Sequence, residues 1–175
     1  MKKIEQGSWQ GTSWIKKGSG PPVILVHGLG LNSQMWQWQI DSLIPHFSVI
    51  YYDLLGHGES VNPEIPCKLT QFNEQLLELM DGMKLEQSAL VGFSLGGLIV
   101  QDFALTHPEK VSALVILNTA HGRTETERKA VLVRVQQAKQ HGPASTVEAA
   151  LQRWFSTDFA SSNPEILEKI KAWIM

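Results

Sequence analysis

Gly92-Phe93-Ser94-Leu95-Gly96 places a serine where its hydroxyl can become a nucleophile. A serine hydroxyl attacks poorly unless it is exposed, oriented and paired with a base. This serine follows the apolar run 88–92 and precedes the apolar run 95–106, so the spacing predicts a strand, a sharp turn and a helix. Such a turn forces strained backbone angles on the serine and lifts it out of the chain. It also brings strand and helix so close that only glycine-sized residues fit two positions either side. Gly92, Gly96 and Gly97 meet that need. The N-terminus of a helix starting at Leu95 favours negative charge developing at the reacting atoms. The pentapeptide alone is a weak match, and its alternative is a tight turn with an incidental serine. The flanking elements make it specific.

Acyl transfer also needs hydrogen-bond donors for the oxyanion of a tetrahedral intermediate, and losing one donor typically costs about 3 kcal/mol. The backbone N–H of Leu95, next to the nucleophile, is one expected donor. The second is the N–H of Leu29, in the glycine loop His27-Gly28-Leu29-Gly30 that follows the apolar run 23–26. A second glycine loop, Asp53-Leu54-Leu55-Gly56-His57-Gly58-Glu59-Ser60, follows the apolar run 47–52. Asp53 is expected to fix this loop through hydrogen bonds to backbone rather than to act as a catalytic acid. Among the histidines, His27 and His57 are expected to brace their loops, and only His121 is kept as a remote substitute base. Trp36 and Phe93 are candidates for lining a substrate pocket, as are Met35, Trp154 and Phe155, with a simple core role the alternative for each.

These residues need elements to hold them. Residues 2–16 suit a hairpin ending in a Gly/Pro-rich turn at 18–22. Runs 23–26, 47–52, 88–92 and 111–117 read as strands buried on both faces. A short helix is expected from Met35 to Leu43, one capped by Thr70 along residues 70–80, and one over 95–106 that stops before Pro108. The alternation predicts an α/β fold, a mostly parallel sheet with helices on both faces, whose site lies at the carboxyl ends of the strands. From residue 121 the pattern turns wholly helical. Three helices are expected there, marked by capping boxes at Thr124/Glu127 and Ser145/Glu148 and by Asn163 before Pro164. The domain division read from this change is a core over 1–120 and a helical segment over 121–175.

The bulk numbers agree with a folded domain. With 43% hydrophobic and 18% charged residues in 175, the chain has enough apolar surface for a core and is not disordered. A net charge of −2 with mixed signs lacks the basic stripe of a nucleic-acid binder, and Lys2-Lys3 is too short to count as a basic arm. One cysteine, Cys67, cannot form an internal disulfide, which favours a reducing compartment and reads as an inert loop residue. No apolar stretch follows the two lysines as a secretory signal requires, and none is long enough to span a bilayer. The expectation is a cytoplasmic protein with no membrane or nucleic-acid partner. No metal site and no cofactor are expected, because the acids and histidines lack ligand spacing and the glycine loops lack phosphate-binding spacing.

The stretch from Val23 to Ala120 resembles the first half of α/β-hydrolase fold proteins. HGLGLNSQMW resembles the oxyanion loop, YYDLLGHGES the loop after the next strand, VGFSLGGLIVQ the nucleophile elbow, and THPEKVSALVILNTA a helix end and strand. The resemblance is nearest the enol-lactonase and small carboxylesterase branch. It implies that residues 121–175 are part of a helical cap over the nucleophile. It also implies that the triad acid and histidine follow the cap, beyond Met175, so that the chain looks C-terminally truncated. The implied function is a serine hydrolase of carboxylic esters or lactones working through an acyl-enzyme on Ser94, with a small-molecule ester or lactone as partner. The alternative is a non-catalytic, truncated hydrolase fragment that at most binds a small apolar ligand. Two missing strands would leave an open sheet edge, so self-association through that edge is expected.

Overall fold

The computed structural model describes residues 4–174, and the Lys2-Lys3 pair lies outside the described residues. The chain divides into two compact units, Met1–Thr119 and Ala120–Met175.

The first unit is built on a six-stranded sheet in the order β1-β2-β4-β3-β5-β6. The strands are β1 (Ile4–Trp9), β2 (Thr12–Gly18), β3 (Pro22–Val26), β4 (Ser48–Tyr52), β5 (Ser88–Phe93) and β6 (Val111–Leu117). β1 and β2 form the expected antiparallel hairpin, and β2 pairs antiparallel with β4. The remaining pairings, β4–β3, β3–β5 and β5–β6, are parallel. The helices are α1 (Gln37–Leu43), entered through a 3-10 turn at Ser33–Trp36, then α2 (Leu69–Gly82) and α3 (Leu95–Thr106).

Alternate side chains of one strand serve opposite faces of the sheet. Ile24, Val26, Ile50, Tyr52 and Leu90 pack with Phe72, Leu76, Leu79 and Met80 of α2 and with Ile99, Val100 and Phe103 of α3. Val23, Leu25, Val49 and Tyr51 pack with Trp36, Ile40 and Ile44 on the α1 side. Covering both faces is what makes β3 and β4 continuously apolar.

Two readings of this unit are corrected. Thr70 does not cap α2. The helix begins at Leu69, and Gln71 reaches back to accept the Lys68 N–H at 2.7 Å, so a side chain inside the first turn supplies the cap. β6 is apolar but not buried, and Leu114 to Leu117 are each exposed. It is the last strand of the sheet, and the apolar pattern reports the strand type without reporting whether anything lies beside it.

The second unit is entirely helical among the described residues: α4 (Glu125–His141), α5 (Val147–Trp154), α6 (Thr157–Ser162) and α7 (Pro164–Ile174). Four helices stand where three were expected, because Ser156 caps α6 by accepting the Phe159 N–H. The Thr124/Glu127 capping box forms, with the Glu127 carboxylate accepting the Thr124 N–H at 2.7 Å. The Ser145/Glu148 box does not. A 3-10 turn at Pro143–Thr146 moves the N-cap to Thr146, the Ser145 hydroxyl donates to Gly142 O, and Glu148 pairs with Lys171 of α7. Asn163 starts α7 through its backbone carbonyl, while its side chain donates to Phe159 O. No described helix is long and apolar enough to cross a membrane.

Leu76 is fully buried, whereas Leu105 is 82% exposed. Leu76→Ala should lower unfolding free energy by about 3 kcal/mol, and Leu105→Ala should change it by less than about 0.5 kcal/mol. Urea denaturation checks both, and equal midpoints would contradict this packing.

Candidate active site

β5 ends at Phe93 and α3 begins at Leu95, so a single residue, Ser94, makes the turn. Its φ of 53° and ψ of −110° lie outside the regions an L-residue adopts freely. A conformation of this kind costs about 1–3 kcal/mol and persists only where neighbours over-determine it. The neighbours here are identifiable. Ser94 N–H donates to Leu117 O of β6 at 2.9 Å. Ser94 O accepts from Gly97 N–H, Leu98 N–H and the Thr119 hydroxyl at 3.1, 3.3 and 3.2 Å.

The close approach expected of the glycines is present. A Cβ on Gly92 would stand 2.4 Å from Gly96 O, and one on Gly96 would stand 2.2 Å from Val26 O. Both obstacles are backbone, so any side chain there must push β5, α3 and β3 apart. A Cβ on Gly28 would lie 3.2 Å from the Ser94 Cβ and 3.0 Å from Phe93 Cδ1. The loop after β3 therefore passes directly beside the serine.

That loop is a β-turn. Leu31 N–H donates to Gly28 O at 3.2 Å, and Gly30, at the third position, has the φ of 71° that a type II turn demands there. Gly28 O also accepts from His27 Nδ1 at 2.8 Å. Gly30 N–H donates to His57 Nε2 at 3.1 Å. Neither Leu29 N–H nor Leu95 N–H makes a hydrogen bond to a described residue.

His27 and His57 are both spoken for. His27 Nε2 accepts the Leu54 N–H at 2.9 Å, so its proton is on Nδ1. His57 Nδ1 donates to Leu55 O at 3.0 Å while Nε2 accepts from Gly30. The rings meet edge to face, with centroids 5.3 Å apart. Burial pushes His27 down to about 4 from an ordinary value of 6.5; the bond to Gly28 opposes this and the His57 ring adds to it. Asp53, 5% exposed, accepts Ser33 N–H at 2.7 Å on one carboxylate oxygen and Glu59 N–H at 3.0 Å on the other. It joins the two loops. Cys67 is exposed, and partial desolvation raises its thiol, which disfavours the thiolate.

The structure thus brings Ser94, Leu95, Phe93 and Gly28 together, with Leu29 next in the chain. Trp36, 3% exposed, sits in the core on the α1 side, and Phe93 packs half-buried against that cluster. His121 falls in the second unit. Thr119 and Gln75 went unrecognised in the sequence. Gln75 accepts Leu55 N–H and donates to Asp53 O and Thr12 Oγ1. These partners lie 20 to 63 residues away in sequence, and no local pattern marks them.

The chain matches the α/β-hydrolase fold over residues 21–166. It belongs to the α/β-hydrolase family. It is 31% identical over 161 residues to (E)-2-((N-methylformamido)methylene)succinate hydrolase of Acinetobacter baylyi, covering 92% of this chain and 60% of that protein. It is 34% identical over 150 residues to 3-oxoadipate enol-lactonase 2 of the same organism, covering 86% of this chain and 55% of that protein. The crystal structure of the enol-lactonase from Burkholderia xenovorans LB400 superposes with a TM-score of 0.86 at 29% identity, over 97% of this chain and 67% of that one. The chain spans less than two thirds of the length of the curated relatives it matches.

Two outcomes are expected of this α/β-hydrolase chain. Both Ser94→Gly and Ser94→Ala remove the hydroxyl, but only glycine relieves the positive φ, so the glycine variant should be more stable than the alanine one by about 1 kcal/mol. Equal melting temperatures would sink the strain argument. The second outcome concerns pH. The folded state keeps His27 neutral down to about 4, whereas the unfolded chain takes up a proton near 6.5. His27's contribution is therefore fully present above pH 6.5 and is lost as pH falls toward 4, by up to about 3 kcal/mol. Urea midpoints at pH 7 and 4.5 should fall less in His27→Gln, whose amide keeps a donor and an acceptor without titrating; equal slopes would contradict the assignment.

Proposed function

We propose that the protein hydrolyses a carboxylic ester or lactone through an acyl-enzyme on Ser94. The single observation carrying this reading is the Ser94 backbone, held at positive φ between a strand and a helix N-terminus with the Gly28 turn against its Cβ. In this reading the Ser94 Oγ attacks the carbonyl carbon while a base takes its proton. The oxyanion accepts from the Leu29 and Leu95 N–H groups, which have no other partner among the described residues. Collapse expels the alcohol, or opens the lactone ring, and water then releases the acid from Ser94. Phe93, beside the turn, borders the acyl site, and Trp36 supports it from the same apolar cluster. A base and its acid partner complete the machinery in this reading. The names of the two Acinetobacter relatives, a hydrolase and an enol-lactonase, favour a small, carboxylate-bearing substrate.

A second reading is favoured by one observation: both ring nitrogens of His27 and of His57 are engaged by backbone groups, so neither is free to activate Ser94. On that reading the 175-residue chain binds a small apolar ligand without turnover.

A fluorophosphonate separates the two. Labelling should occur at Ser94 and disappear in Ser94→Ala. A short-chain nitrophenyl ester should be hydrolysed with the same dependence on Ser94. No labelling, or turnover that survives Ser94→Ala, would reject the esterase reading.

A further inference from the structure

Among the described residues of this unit, two backbone amides donate to imidazole nitrogen rather than to oxygen: Leu54 N–H to His27, and Gly30 N–H to His57. The second is the informative one, because of where it falls in the turn. Two peptide planes meet at the Leu29 Cα. The first contains Gly28 C=O and Leu29 N–H, which point in opposite directions across a trans peptide. Its carbonyl is held by His27 Nδ1 and by Leu31 N–H, so the Leu29 N–H is directed the other way. The second plane contains Leu29 C=O and Gly30 N–H. That N–H is held by His57 Nε2, which is itself oriented by donation from Nδ1 to Leu55 O.

We propose that His57 is a positioning residue for the oxyanion donor at Leu29. It fixes the second peptide plane as His27 fixes the first, so that the turn carrying the Leu29 N–H is held in one arrangement before substrate arrives. His57 is not a base, since neither ring nitrogen is free. It acts by holding a donor's frame across 27 residues of sequence. A glycine at position 30 has no side chain to restrict its rotation, so without this bond the second plane swings and the turn has several accessible arrangements. The catalytic consequence rests on the esterase reading above; the mechanical part does not.

The test uses the 175-residue chain with uniform nitrogen-15 labelling and two variants. His57→Phe keeps the ring volume and removes both polar atoms. His57→Gln offers an acceptor to Gly30 and a donor to Leu55. In the wild type, a coupling through the hydrogen bond between Gly30 N and His57 Nε2 is expected. In His57→Phe, Gly30 amide exchange should accelerate and the saturating rate of Ser94 phosphonylation should fall, each by about tenfold or more, with the half-saturating probe concentration little changed. His57→Gln should restore both to within about threefold of wild type, because one donor and one acceptor suffice. Unaltered Gly30 exchange in His57→Phe, or an unchanged labelling rate there, would overturn the proposal. Absence of the coupling in the wild type would do so without any variant, should His57→Phe fail to fold. A wild type that never labels counts against the esterase reading alone, and the coupling and exchange still decide the positioning.

Discussion

The rest of the first unit depends on one backbone-to-backbone contact, the seating of the first turn of α3 against the end of β3. Gly96 lies so near Val26 O and His27 O that a single added carbon would overlap both. The same closeness recurs one layer away, between Gly92 and Gly96 O. Three elements converge there with no side chains between them. Because they do, the residue linking β5 to α3 has no room for an ordinary turn, and Ser94 takes up positive φ. Because β3 ends at the same point, the loop leaving it must pass the serine. The serine's place at the head of the turn and the nearness of the Gly28 turn are thus two consequences of one packing constraint.

Strain at Ser94 is offset from the strand beside it. Leu117 accepts the Ser94 N–H, and the Thr119 hydroxyl donates to the Ser94 carbonyl. The serine's backbone is therefore held by Leu117 at the end of β6 and by Thr119 two residues past it, and β6 is the strand with the most exposed side chains in the sheet's parallel half. A perturbation that loosens this edge reaches the serine through two hydrogen bonds, which makes β6 more than a boundary of the sheet.

The loop histidines and Asp53 illustrate how buried polar groups are satisfied without being reactive. His27 is fully buried, and burial is also the largest reason its proton affinity is low. Kept neutral, it presents one acceptor and one donor, and both are used. Asp53 spends its two carboxylate oxygens on backbone amides from two different loops. The arrangement leaves the Leu29 amide without a partner among the described residues.

The sequence by itself determined the alternation of strands and helices, the position of the turn at Ser94 and the need for small residues around it. These follow from local rules: runs of apolar residues read as strands buried on two faces, and glycine spacing reads as close approach. It also determined the Thr124 capping box, whose partners are three residues apart. Only the tertiary structure decided which amides found partners. The His57 bond to Gly30, the Thr119 clamp and the bridging role of Gln75 join residues far apart along the chain, and the pairing depends on sheet order. Tertiary context also moved one cap, since Glu148 is engaged by Lys171, while at α2 a local bond from the Lys68 amide to Gln71, three residues on, sets the helix start. Burial of β6 could not be read at all from its composition, because exposure is a property of what lies alongside a strand, and apolar side chains carry no record of their neighbours.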